Sequence, residues 1–449
     1  MPVHPIENRY GSDEMRAVFE EETRFQRMLD VEGALAKALA AEEMIPKTHG
    51  QKIARKAKIK HVPVKKIRKL EEKTGHETMA LVLALAEVSG TGSRSVHFGA
   101  TSNDILDTAM ALQFRDALEV LEKRMRDLLE VMIKQAKENV DTVIVGRTHG
   151  QHAVPTTLGM KFAIWASEMG RNLKRLEEVK SRVLVGQMTG AVGTGAAWGE
   201  KASKIQKRVM EELELESVEI SNQVIQRDRF AELISFLGLL GGTLAKVGRE
   251  IRNLQRTEIS EVSEPFGEEQ VGSSTMPHKR NPIKSERVCG LARVLRANVQ
   301  AGLENMVIEH ERDLTNSSCE RVLLPESFLI IDQMFLDQKE VLENLRIRAK
   351  RMEQNLKLTQ GLNMAEAVMI EVTRRGMDRQ KAHKALRECT SYALREGVSL
   401  SSALQQNGEI LEHISKEEIR DLLDPKKYLG NAKSTVKKVI KNLEKIQEE

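Results

Sequence analysis

Residues 104–139 read DILDTAMALQFRDALEVLEKRMRDLLEVMIKQAKEN, a stretch with no glycine or proline. Within it Leu112, Leu118, Leu121, Met125, Leu128 and Met132 recur at helical spacing. At a rise of ~1.5 Å per residue this predicts a helix roughly 50 Å long. Similar patterns follow at about 157–185, 228–261, 284–310 and 325–350, with little β-branched alternation between them. Rods of this length predict an all-α fold, a bundle of long helices. Their apolar stripes are broad and Ala-rich, so some faces are expected to bury against other subunits.

Toward the N-terminus, Met15, Phe19, Phe25, Met28, Leu29, Leu35 and Leu39 mark the stripe of a further helix. Ser12 is placed to cap it ahead of Asp13 and Glu14, and Pro46 lies past its end. Glycines at 186, 190, 193, 195 and 199 exclude a helix interior there. Residues 265–282, with Pro265, Pro277, Pro282, Gly267 and Gly272, read as a mobile loop. Shorter helices follow, broken at Asp424-Pro425 and Gly430-Asn431. Three helical domains are expected: 1–103, a central long-helix domain over 104–356 that carries the loop, and 357–449.

Composition narrows the functional class. Of 449 residues, 40% are hydrophobic and 30% charged, which predicts a globular chain. Only 3% are aromatic, so the core is expected to be aliphatic and methionine-rich. A net charge of +4 is small beside 70 basic and 66 acidic side chains, and points to neither a nucleic-acid nor a membrane partner. Nine basic residues between Lys52 and Lys69 have no aromatic among them for base stacking, and read as a solvated helical face. Cys289, Cys319 and Cys389 are odd in number and far apart, which suggests a reducing compartment. The polar start, Met1 to Tyr10, lacks the apolar centre of a signal peptide. The apolar runs 79–86 and 236–240 are too short to span a bilayer. A cytoplasmic enzyme is expected.

Four segments carry chemistry. Gly272-Ser273-Ser274-Thr275-Met276-Pro277-His278-Lys279-Arg280-Asn281-Pro282 can turn consecutive N–H groups into one anion-binding concavity. Lys279 adds a charge there and Asn281 a donor; the bland alternative is a polar connection between helices. Gly146-Arg147-Thr148-His149-Gly150-Gln151 precedes an expected Pro-started helix and exposes His149, an imidazole suited to proton transfer or merely incidental. The His149/His152 spacing lacks the partners of a metal site, and no metal or cofactor is expected. His97-Phe98-Gly99-Ala100-Thr101-Ser102-Asn103-Asp104 can cap the longest helix, capture a carboxylate at its positive end, or both. Finally, 310–321 places Arg312, Arg321, Ser317 and Ser318 where they can clamp a phosphate or form a charged surface.

The 272–282 segment resembles the mobile-loop motif of the fumarase/aspartase superfamily, whose members add or remove fumarate-like acids. The 310–321 segment is similar to the adenylosuccinate lyase branch in particular. So are Arg9-Tyr10, Lys73-Thr74-Gly75-His76-Glu77 and Gln223-Val224-Ile225-Gln226-Arg227-Asp228-Arg229. The resemblance runs from residue 9 to the 424–430 segment. It implies β-elimination of fumarate from succinylated purine nucleotides, yielding AMP from one of them, in a homotetramer whose sites lie at the junction of three subunits.

The resemblance also implies roles. Ser273 would be the base, with Ser274 beside it as a carboxylate ligand. His149 would be the acid, with Glu286 orienting it. Lys279 and Asn281 would hold the intermediate's carboxylate. His76, His97, Thr101, Ser102 and Gln223 would surround the succinyl group and the leaving nitrogen. Arg9, Tyr10, Arg287, Arg312, Ser317 and Arg321 would address the nucleotide. Where the family commonly has Asn or Arg before His-Asp, this chain has Gly75 before His76 and Glu77, which puts those two contacts in question.

Three rivals remain. A sibling carboxymuconate cycloisomerase or argininosuccinate lyase needs no phosphate clamp. A non-catalytic helical scaffold has no use for Ser273, Lys279, Asn281, His149 and Glu286 together. A nucleic-acid binder rests on the basic run alone.

Overall fold

The computed structural model describes residues 4, 6 and 8–448. Among them helix dominates, and the strands occur as short pairs. The fold is all-α, and five long helices dominate it: Ser102–Glu138, Leu158–Val183, Asp228–Leu254, Ile283–Glu304 and Thr315–Glu343.

Helix ends depart from the sequence reading at several places, and the rods expected over 284–310 and 325–350 stop at Glu304 and Glu343. The expected N-terminal helix is broken by the extended ψ of 145° at Glu20, giving Asp13–Phe19 and Glu21–Ala41. Ser12 does cap the first, its hydroxyl accepting from the Met15 N–H at 3.2 Å. The fifth long helix does not start at Pro325 but runs through it. Proline forfeits one backbone bond there, while Leu324, Phe328, Ile331 and Phe335 bury the surrounding face. The helix from Asp228 stops at Leu254, where a turn with Ser260 at positive φ leads into the strand Val262–Ser263. Pro155 starts no helix; it lies in the strand Gln151–Thr157, and the helix begins at Leu158.

Internal packing divides the chain into two compact units. The first comprises residues up to 125 with 172–244 and 290–336; the second comprises 126–171, 245–289 and 337–449. The first unit's core packs Phe25, Met28, Leu35 and Leu39 with Leu81, Leu85, Ile105 and Leu112. Each such side chain contributes about 1.5–3 kcal/mol on burial. Few as they are, aromatics also cluster there. Phe114 stands edge-on to Phe230 at 5.3 Å and stacks toward Phe328 at 6.1 Å. In the second unit the C-terminal helices close on Val368, Val372, Leu386, Leu400, Leu404, Ile410 and Ile419.

Contrary to the reading of short apolar runs, the Asp228–Leu254 helix is long and apolar enough to cross a membrane; 72% of its most apolar window is buried inside the protein. The basic run forms two amphipathic helices, Lys47–Lys56 and Val64–Thr74, with Ile53 and Ile67 turned inward. Lys58, Lys66 and Arg68 pair with Asp30, Glu87 and Glu71.

Candidate active site

In the first unit, the candidate residues converge from the ends of helices. His76 has extended backbone, caps the helix Glu77–Val88, and its Nδ1 accepts from the Met79 N–H at 3.4 Å. Its Nε2 lies 3.5 Å from the Ser102 hydroxyl. Ser102 opens the longest helix, and Asp104 accepts from the Thr101 N–H at 2.9 Å, completing half of a capping box. The buried Asp104 also accepts from Thr189 and Gly190, so one carboxylate fixes both the Thr101-Ser102 turn and the glycine-rich segment.

The turn before Thr101 is locked from behind. Gly99 has φ +79° and lies against Trp198, where a Cβ would come within 2.4 Å of the indole Nε1. The same indole N–H donates to the Phe98 carbonyl at 3.0 Å. His97, also at positive φ, bonds through Nδ1 to the buried Glu32 at 2.6 Å. Burial lowers the affinity of His97 for its proton, but the charge and hydrogen bond of Glu32, with Asp104 beyond, raise it above the ordinary value.

Gln223 is held on three sides. Its amide donates to the Ala191 carbonyl at 2.9 Å, its carbonyl oxygen accepts from Arg312 at 2.9 Å, and its backbone oxygen accepts from Gln187. Arg312, Ser317 and Arg321 line a cavity of about 300 Å3 with Arg24, Arg68 and Asn316. Of these lining residues, Arg24 has no sequence signal for the site, Arg68 belongs to the basic run read as a solvated face, and Asn316 lies within the 310–321 segment. Glu77 does not face the cavity as a free ligand. It is buried, bound at two points by Arg24 with one contact at 2.9 Å, and 3.8 Å from Arg321. Burial pushes its carboxyl up, yet the hydrogen bond and charge of Arg24, with Arg321 and Arg68 behind, leave it below the usual value. Near the N-terminus, Arg9 is exposed, the Tyr10 carbonyl accepts from Arg16, and Asp332 accepts from the Ser12 N–H at 2.6 Å.

The second unit carries the proposed acid and base. Val143–Thr148 pairs antiparallel with Gln151–Thr157, so His149 and Gly150 form the tip of a hairpin the sequence reading did not foresee. Their φ values of 53° and 77° are the two left-handed positions of a type I′ turn, which leaves the imidazole exposed. Arg147 anchors the hairpin with a two-point pair to the fully buried Glu261 at 2.7 and 2.9 Å.

The loop closes on itself. Asn281 donates to the Gly272 carbonyl at 3.1 Å, and a Cβ on Gly272 would lie 1.9 Å from the Lys279 carbonyl oxygen. Inside that curl the Ser273 hydroxyl accepts from the N–H groups of Thr275 at 3.3 Å and Met276 at 3.1 Å. The Ser274 hydroxyl lies 3.5 Å from the Thr275 hydroxyl. Glu264 accepts from Ser285 and Lys284, capping the helix that follows. Lys279 is exposed, as is Glu286 on the first turn of that helix; among the described residues no hydrogen bond joins Glu286 to His149. Arg287 is engaged by the buried Asp337, with one contact at 2.6 Å.

Known proteins supply the family. The family model described as Lyase matches residues 8–296, and that described as Adenylosuccinate lyase C-terminus matches 361–439. A Pyrococcus abyssi protein named adenylosuccinate lyase is 50% identical over 447 residues, covering 100% of this chain and 99% of its own. A crystal structure of a fumarate lyase from Mesorhizobium superposes with a TM-score of 0.90 at 31% identity, covering 98% of this chain and all of that one. A 3-carboxy-cis,cis-muconate lactonizing enzyme from Pseudomonas putida follows at 0.89 and 36% identity, covering 97% and 98%. Half of the residues are identical over the full length to a protein named adenylosuccinate lyase, and the C-terminal model carries the same name, so the chain belongs to the adenylosuccinate lyase family.

Proposed function

We propose that this protein is an adenylosuccinate lyase, which eliminates fumarate from adenylosuccinate to leave AMP, and likewise from the succinylated aminoimidazole carboxamide ribonucleotide. The observation that carries the reading is the full-length identity to a protein of that name. The first unit's cavity adds chemical support, because Arg312, Ser317 and Arg321 share it and suit a nucleotide phosphate. The muconate-type relative is the second reading, favoured by its close superposition and 36% identity.

In the mechanism we propose, Ser273 acts as an alkoxide, removing a proton from the succinyl carbon next to a carboxylate. The Thr275 and Met276 N–H groups that already point at its oxygen support the negative charge. Electrons pass into the carboxylate to give an aci-carboxylate, held by Lys279 and Asn281. The carbon–nitrogen bond then breaks as His149 donates a proton to the departing nitrogen. Thr101, Ser102, His76 and Gln223 hold the succinyl and leaving-nitrogen region. No resident cofactor enters these steps, and the reading carries a cytoplasmic location.

The catalytic assembly we propose is a homotetramer with sites shared among three subunits. Large apolar side chains left exposed on the long helices, such as Ile164, Leu239, Val294 and Leu303, support it. Incubation with adenylosuccinate tests the function. Equal amounts of fumarate and AMP are expected, and absence of both would overturn the reading.

A further inference from the structure

Arg227 belongs to the 223–229 segment, yet it cannot meet a ligand, for it is 4% exposed. Its Nη1 and Nη2 bind the two oxygens of Asp107 at 2.9 and 2.8 Å, and Nη1 also donates to the Ile225 carbonyl at 2.8 Å. Its Nε lies 2.9 Å from Glu320, and its guanidinium stacks 4.3 Å over Phe230. Asp107 in turn accepts from the Ile225 N–H at 3.0 Å and from Asn103 at 3.3 Å.

The three charged partners come from three different segments. Asp107 stands one turn and a residue after Ser102 on the longest helix. Arg227 follows Gln223 by four residues, and Glu320 follows Ser317 by three on the Thr315–Glu343 helix. A buried triad of this kind is a poor choice for stability alone, since well-packed apolar replacements often do as well or better. Its value lies in geometry. Two carboxylates face one guanidinium, and Arg312, whose Nη1 bonds Gln223, lines the same cavity as Asp107, Arg227 and Glu320.

We propose that Arg227 is a positioning residue: its ion pairs with Asp107 and Glu320 set the register of the segments that present Ser102 and Gln223 to the succinyl and leaving-nitrogen region and Arg312, through Gln223, to the nucleotide. The inference rests on the adenylosuccinate lyase reading. Glu320 is its best probe. Glu320→Gln keeps the shape while removing one charge, whereas Arg227→Met strands two buried carboxylates and risks the fold.

The test uses the full-length protein and measures both AMP affinity by calorimetry and turnover of adenylosuccinate. Glu320→Gln is expected to raise the Kd for AMP and the KM roughly tenfold, the scale of one misplaced charge-assisted hydrogen bond, with kcat changed far less. In an Arg312→Met background the same substitution is expected to add little, because the group it positions is already gone. Additive effects in that cycle, or a lowered Tm with unchanged Kd and KM, would overturn the positioning role. A wild type that binds AMP without releasing fumarate sinks the lyase reading while the affinity cycle still decides the triad; a wild type that does not bind AMP sinks both.

Discussion

Glu77 grips Arg24 at two points from a position 53 residues away, one contact at 2.9 Å, with the carboxylate buried. The longer side chain of Glu where the family commonly carries Asp serves this internal pair. Shortening it in Glu77→Asp is expected to break one of the two contacts and destabilise the protein by about 2 kcal/mol, since Arg24 retains some exposure. The carboxyl's value is depressed in the folded state, so its contribution is present above the ordinary 4.5 and is lost as pH falls through the lower folded value. Acid denaturation curves check this: the substituted protein should lose less stability over that window than the parent.

The His97–Glu32 pair has the opposite sign. His97 holds its proton more tightly than an ordinary imidazole, so its stabilisation is complete below 6.5 and fades as pH rises through the raised folded value. Glu32→Gln removes the partner and is expected to flatten that alkaline loss. Tm measured between mildly acidic and mildly alkaline buffers would read it; an unchanged profile would mean the pair is not coupled to folding.

Gly99→Ala adds a methyl where φ is +79° and the Trp198 indole stands 2.4 Å away. Strain and clash together are expected to cost about 1–3 kcal/mol and to raise the KM by moving Thr101 and Ser102. Thermal melts and steady-state kinetics test both halves.

The proposed sharing of sites among subunits makes a distinctive demand. Co-expressing the inactive variants His149→Ala and Ser273→Ala should restore measurable turnover, because some mixed assemblies contain a site with both residues intact. Turnover no higher than that of either variant, or an active wild-type monomer in light scattering, would rule out the shared arrangement.

Much of this was legible in the sequence. Helical periodicity marked all five long rods because their stripes are long and unbroken. Periodicity does not mark ends well: Pro325 looked like a start, yet the buried face around it outweighs one lost backbone bond. The His149 hairpin is not legible, because Pro155 suggests a helix start and a two-residue turn led by His rather than Asn or Asp gives little local signal. Long-range ion partners were invisible for a different reason. Nothing near Arg24 announces Glu77, and nothing in the 223–229 segment says that Arg227 turns inward to Asp107 and Glu320 while Gln223 turns to Arg312.

Ser273 and Ser274 are adjacent and chemically identical, but only the Ser273 oxygen receives two backbone N–H groups. Single-turnover release of fumarate by the two alanine variants therefore weighs the mechanism most directly. Ser273→Ala is expected to slow that step on the order of 10³-fold, within the range for loss of a general base, while binding AMP normally and keeping its helical circular dichroism. Near wild-type release by Ser273→Ala, or a dead Ser274→Ala beside an active Ser273→Ala, would contradict it.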